Sequence, residues 1–234
     1  MKVLSVQTSA GMERSLTRKL SKQFLDSLTK SIPAVEIEEL DLVKNPPPFI
    51  THEWIADTFS KNGAGNPERT SLVQSDTYIQ QLERADYIVI GTPMYNYGMP
   101  AVLKAWFDQV ARINKTFSFD LTRGDFPIKP ILCGKTMILF TSCGEFGFES
   151  GGIQAQHNHL VPHIKSCAHY LGVDAKKDLH HIGIEYQEFK DERHEQSKIK
   201  AFGSIDKLVA ELKPRFDAAQ RLMARPFDFA QGPI

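Results

Sequence analysis

Short, unbroken apolar runs alternate along this chain with longer stretches whose apolar residues recur every three or four positions. The runs at 3–8, 86–91, 136–142 and 179–184 read as strands, and those at 86–91 and 136–142 suit strands buried on both faces. Residues 35–40 alternate apolar and acidic, which predicts a more exposed strand. From Leu16, apolar residues return at Leu20, Phe24, Leu25 and Leu28, which is helical spacing. The same criterion predicts helices over 72–82, 100–112, 153–171 and 190–213, with Pro100 at the first position of its helix, where a missing N–H costs nothing. Strand and helix therefore alternate five times. That pattern predicts an α/β doubly wound sheet of five parallel strands, order 2-1-3-4-5, with helices on both faces.

Three segments interrupt the alternation. Residues 44–69 hold Pro46-Pro47-Pro48, Trp54, Phe59 and Gly63-Ala64-Gly65; residues 115–134 hold Phe117, Phe119 and Phe126; residues 214–234 form a C-terminal extension without an assigned role. Long connections in compact domains often serve as lids or binding loops, and their aromatics serve equally to pack the loop down. Neither an internal repeat nor a Gly/Ser-rich linker divides the chain, so residues 1–234 read as a single domain.

Charge narrows the function classes. Lys plus Arg and Asp plus Glu both number 28, which leaves no basic footprint for nucleic acid or an anionic membrane. Cys133, Cys143 and Cys167 form no CxxC pair, which fits a reduced, cytoplasmic setting. The first residues are too briefly apolar for a signal peptide, and no run approaches the roughly 20 apolar residues of a membrane span.

In such a sheet the ligand sits beyond the carboxyl ends of the strands, where strand order reverses. Three loops converge there. The first, TSAGMERSLT from Thr8 to Thr17, brings Ser9, Ser15 and Thr17 hydroxyls to a helix start, a composition suited to one terminal phosphate. It has neither the GK[ST] ending nor G-x-G-x-x-G, and taken alone it is explained more simply by helix capping from Ser15 or Thr17. The second, GTPMYNYGMP from Gly91 to Pro100, carries no acid, lysine or histidine. Its Tyr95, Asn96 and Tyr97 suit a neutral planar ring with hydrogen-bonding edges, although a turn whose aromatics join the core would look the same. The third, TSCGEFGFESGG from Thr141 to Gly152, brings Ser142 and Gly144 close to such a ligand, with Gly151-Gly152 leading into a helix. Cys143 has no sequence feature that marks it as a nucleophile.

These residues resemble the FMN-dependent NAD(P)H azoreductases, also described as NAD(P)H:quinone oxidoreductases, of flavodoxin-like fold. The resemblance runs over about residues 1–213, and its most specific element is Pro93-Met94-Tyr95-Asn96-Tyr97 followed by PAVLKAWFDQVAR. It implies that Pro93, Met94, Tyr95, Asn96 and Tyr97 hold the flavin ring. It places Ser9, Ser15, Leu16 and Thr17 on the FMN phosphate. It sets Ser142, Cys143, Gly144 and Glu145 on the flavin's pyrimidine edge, with the backbone N–H groups of Cys143 and Gly144 as donors there. The family commonly shows S-R-G-G at that edge, so this chain exchanges an arginine for Cys143 and gains an anion at Glu145. Tightly bound, non-covalent FMN is the implied cofactor, with NADH or NADPH as co-substrate. The implied chemistry is ping-pong: hydride arrives from NAD(P)H, and a quinone or azo compound then takes the electron pair in the same pocket. No catalytic side chain is assigned. The resemblance further implies a homodimer whose aromatic segments frame the pocket, with Phe119 over the flavin.

Two other classes keep the same fold. A flavodoxin-type electron carrier or a flavin-binding redox sensor would bind FMN without nicotinamide turnover. A metal site is not expected: His159 and His163, four apart, would share a helix face, but HExxH and Cys–His spacings are absent.

Overall fold

The computed structural model describes residues 1–32, 34–60 and 70–223, with side chains through residue 214; the Gly63-Ala64-Gly65 stretch of the first insertion lies outside them. Seven strands run in chain order: β1 (Lys2–Gln7), β2 (Glu36–Asp41), β3 (Tyr87–Pro93), β4 (Phe117–Phe119), β5 (Ile128–Pro130), β6 (Thr136–Ser142) and β7 (Leu179–Ile184). Seven α-helices accompany them: α1 (Leu16–Ser31), α2 (His52–Phe59), α3 (Val73–Arg84), α4 (Ala101–Val110), α5 (Val161–Cys167), α6 (Glu192–Gly203) and α7 (Ile205–Met223).

The main sheet has five parallel strands in the order β2-β1-β3-β6-β7. This is the expected order 2-1-3-4-5 when the main-sheet strands are counted alone; the labels differ because β4 and β5, not expected as strands, form a separate antiparallel hairpin within residues 115–134. β3 and β6 are buried along their whole length, which is why they read as continuous apolar runs. Each face of the sheet carries its own core. Leu82, Leu103, Trp106 and Ile164 pack on one side, and Leu20, Phe24, Ile205 and Leu212 on the other.

Four local expectations change. Pro100 is the N-cap of α4, one place before the first helical residue, with extended backbone. The helix expected over 153–171 starts only at Val161, because Asn158 Oδ1 accepts from the Leu160 and Val161 N–H groups and caps it there. The helix expected over 190–213 is two, broken at Ser204. The second continues through Pro214, where a run treated in sequence as extension is helical to Met223. A proline forfeits one backbone bond, yet Leu208, Val209 and Leu212 already anchor that helix in the core.

Candidate active site at the sheet switch point

Strand order reverses between β1 and β3, and the loops after β1, β3 and β6 meet above that point. The first loop is pinned to its neighbour, since Thr8 donates from both its N–H (3.1 Å) and its hydroxyl (3.2 Å) to the Gly91 carbonyl. Gly91 leaves no room for a side chain unless its neighbours shift. A Cβ would lie 2.6 Å from Gln7 Oε1 and 2.7 Å from Ser21 Oγ. Ser9 is buried, and its Oγ accepts from the Gly11 N–H (3.3 Å). Ser15 caps α1 by accepting from the Arg18 N–H (3.2 Å), and its hydroxyl meets that of fully buried Thr17 at 3.1 Å. The capping role of Ser15 is therefore present. It still leaves the first-turn amides of Leu16 and Thr17 without intrahelical acceptors, at the positive end of the helix dipole. Leu16 itself packs against the α1-side core.

The second loop extends the ladder, with the Met94 N–H donating to the Ser142 carbonyl (2.8 Å). Tyr95 and Gly98 then exchange backbone bonds of 3.1 and 3.0 Å around Asn96 and Tyr97, whose φ values are +48° and +67°. Positive φ at both central residues of a two-residue hairpin loop marks a type I′ turn, which sequence reading missed. Asn tolerates this conformation; Tyr does not, and such strain costs about 1–3 kcal/mol. Neighbours hold it in place. The His159 N–H donates to the Tyr97 carbonyl (2.9 Å), and the Tyr97 ring lies 5.7 Å from His157 and 6.1 Å from Phe148. Tyr95 and Tyr97 are each 42% exposed, so neither ring belongs to the core. The Ala10 N–H donates to the Tyr95 hydroxyl (3.4 Å) and ties the two loops together.

The third loop corrects one expectation. The Cys143 N–H donates to the Ile184 carbonyl (2.9 Å), so the sheet ladder consumes it, and only Gly144 of the two proposed donors keeps a free amide. The loop is zipped to the segment after β7: the Tyr186 N–H donates to Glu145 O (2.9 Å), Gln187 to Cys143 O (3.2 Å) and Glu188 to Gly144 O (3.0 Å). Burial pushes the Cys143 thiol up to about 12, with Glu185, Glu145 and Glu149 adding to the shift, so it is a neutral thiol. Ser142 is buried at the end of β6, and the Tyr97 hydroxyl approaches Glu145 Oε1 at 3.5 Å.

The residue pattern did not reveal the cluster beyond β7. Phe146 stacks on Tyr186 (centroids 4.5 Å, 15° between planes), Phe189 packs edgewise on both, and the Arg193 guanidinium lies 4.7–5.8 Å from all three rings. Its one sequence signal is the spacing of Tyr186 and Phe189 after the last strand. The insertions divide in role. Trp54 is buried and donates from Nε1 to Gln109 Oε1 (2.9 Å), whereas Phe119 and Phe126 stand exposed on the β4–β5 hairpin. His159 precedes α5, so it shares no helix face with His163, and no metal-ligand cluster occurs among the described residues.

Comparison with known proteins follows from this geometry. The family described by a flavodoxin-like fold matches residues 1–207. The chain is 50% identical over 199 residues to an FMN-dependent NADH:quinone oxidoreductase 2 of Colwellia psychrerythraea, covering 85% of this chain and 90% of that one. It is 45% identical over 211 residues to the protein of that name from Idiomarina loihiensis, covering 90% and 87%. Among solved structures, an azoreductase from Bacillus anthracis superposes with a TM-score of 0.78 at 25% identity, covering 90% of this chain and 99% of that one.

Proposed function

The chain belongs to the family of flavodoxin-like fold, and on that footing we propose that it is an FMN-dependent oxidoreductase passing electrons from NADH to quinones and azo compounds. The carrying observation is the meeting of Tyr95 with Ala10 across the switch point, beside the open first turn of α1 and two half-exposed tyrosines.

The donor set fits FMN. The amides of Leu16 and Thr17, with the Ser9 and Ser15 hydroxyls beside them, suit a phosphate without a metal. Pro93, Met94, Tyr95, Asn96 and Tyr97 offer an uncharged, polar-edged wall for the ring, and Ser142, Cys143, Gly144 and Glu145 form the adjoining wall. FMN, when bound, supplies the two-electron chemistry. The Pro93–Tyr97 loop orients the ring, and the Gly144 amide donates where negative charge develops. Cys143 contributes wall rather than a donor. We assign no catalytic acid, base or nucleophile. NADH and the acceptor use one open face in turn, so double-reciprocal plots at several quinone concentrations should be parallel; intersecting lines would overturn the ping-pong scheme.

We place the enzyme in the cytoplasm. Its three cysteines are unpaired, and no helix among the described residues is long and apolar enough to cross a membrane. We also assign it a homodimer. Phe119, Leu121 and Phe126 project from the hairpin at 48%, 75% and 86% exposure, which suits burial against a second copy that closes the pocket. Sedimentation of the FMN-loaded protein should give twice the chain mass.

A further inference from the structure

A cavity of about 790 Å³ opens beside the carboxyl end of β6, between the edge strand β7, the start of α5 and one face of α6, and Met94, Ser142 and Cys143 of the proposed flavin walls reach its border. Its size is that of a small-molecule site. The parallel ladder fixes which backbone groups of β7 look into it. Asp178 and Ile184 accept from Met137 and Cys143 of the β6 side, so the even-numbered residues of β7 bond to β6. The odd-numbered ones, His181 and Gly183, turn their N–H and C=O outward, and both line the cavity. One position further, the Glu185 N–H is already bonded to Ser197 Oγ of α6 (2.9 Å).

Two ammonium groups flank this open edge, Lys165 from α5 and Lys200 from α6. Neither has a carboxylate of the described residues within 4 Å, although the Lys200 charge acts on Glu185 in the same wall. Of the two acids in the wall, Glu185 already accepts from the Gly147 and Phe148 amides (3.0 and 3.5 Å), and Glu149 lies on the loop between β6 and α5. His181 binds Thr141 Oγ1 through Nε2 (2.8 Å). Although His181 is an exposed residue, partial desolvation of its ring and then the Lys165 charge lower its imidazole pKa, so the ring is a neutral hydrogen-bonding group rather than a third cation. The remaining wall includes Phe148, Leu160, Val161 and Ala201, which is apolar.

We propose that this cavity binds a small organic anion with a flat apolar body, an aromatic carboxylate or sulfonate. The acid group lies between Lys165 and Lys200 and the body against the start of α5 and the inner face of α6. The cavity borders the proposed flavin site through Met94, Ser142 and Cys143, whereas the two lysines and the α5 and α6 faces that hold the anion belong to no flavin wall, so the proposal stands whether or not the proposed redox reaction is correct.

Titration of the FMN-saturated full chain with 8-anilinonaphthalene-1-sulfonate, followed by fluorescence, tests it. One saturable site per chain is expected, with affinity about tenfold weaker in the Lys165→Gln/Lys200→Gln double variant and for the neutral analogue N-phenyl-1-naphthylamine. Both substitutions are at exposed positions, and unchanged FMN absorbance and melting temperature verify that the variant is folded. Equal binding of the sulfonate to wild type and variant would overturn the proposal. So would absence of saturable binding, or displacement of the probe from apoprotein by FMN.

Discussion

Arg18 grips Asp41 with both guanidinium arms, Nη1 to Oδ2 at 2.7 Å and Nη2 to Oδ1 at 3.0 Å, while its Nε donates to the Ser9 carbonyl at 3.0 Å. One side chain thereby joins the end of β2 to the proposed phosphate loop. Both partners are mostly shielded from water, and a two-pronged charge-assisted contact of this kind is worth about 1–3 kcal/mol. Asp41→Asn should lower the urea unfolding free energy by that order. It should also weaken FMN binding several-fold in a fluorescence titration, because Ser9 loses its tether.

The same contact sets a pH dependence. Burial alone would raise the Asp41 carboxyl, but the Arg18 hydrogen bond, the Val43 and Lys44 amides and the Arg18 charge outweigh it and hold the group below its ordinary range. A folded-state pKa below the unfolded one stabilises the protein above the unfolded value, about 3.9, and that stabilisation is lost as pH falls through the folded value. The stability gap between wild type and Asp41→Asn should be constant from neutral pH to about 5 and shrink below about 4. Urea midpoints measured across that range check it.

Gly91 and Gly144 should respond differently to alanine. At Gly91 the new methyl meets Gln7 Oε1, Ser21 Oγ and, at 3.2 Å, the Thr17 carbonyl, all within packed structure. Gly91→Ala should cost about 1–3 kcal/mol and displace the start of α1, with a loss of FMN affinity. At Gly144 the obstacle is the Glu188 side chain at 2.7 Å, an exposed group that can swing away. Gly144→Ala should change stability by less than about 0.5 kcal/mol. Paired thermal melts and flavin titrations separate the two.

Strain at the type I′ turn gives a further expectation. Asn96→Val places a β-branched residue at φ +48° and should destabilise by about 1–2 kcal/mol. Tyr97→Gly removes the strain at φ +67° along with the ring contacts to His157 and Phe148, so stability should change by less than about 1 kcal/mol. Its flavin affinity should fall, because the exposed ring is gone. Melting temperatures with and without FMN measure both effects.

What the sequence disclosed follows from locality. β3 and β6 are buried on both faces and read as apolar runs, and α1 shows its buried stripe at Leu20, Phe24 and Leu28. The Pro93–Tyr97 loop is legible because five consecutive residues carry it. The hairpin of β4 and β5 is not, since three-residue strands are too short to show a period. The capture of the Cys143 amide by Ile184 is likewise invisible, because it joins positions 41 residues apart through sheet pairing. The clasp of Arg18 on Asp41 has the same origin: β2 must lie beside β1 before those side chains can meet.

Cys143 offers a test of the mechanism's side-chain content. A thiol raised to about 12 is protonated at neutral pH and cannot serve as a nucleophile. Cys143→Ala should retain turnover within about twofold, and iodoacetamide should label the native thiol slowly at pH 7. A loss of turnover with FMN still bound would assign the residue a role the geometry does not give it.

The most direct test of the central claim is anaerobic reduction of the FMN-loaded protein, followed through the flavin's visible absorbance. NADH should bleach the band, and a quinone added afterwards should restore it. Bound flavin that stays oxidised in the presence of NADH would contradict the account and identify the protein as a carrier or sensor instead.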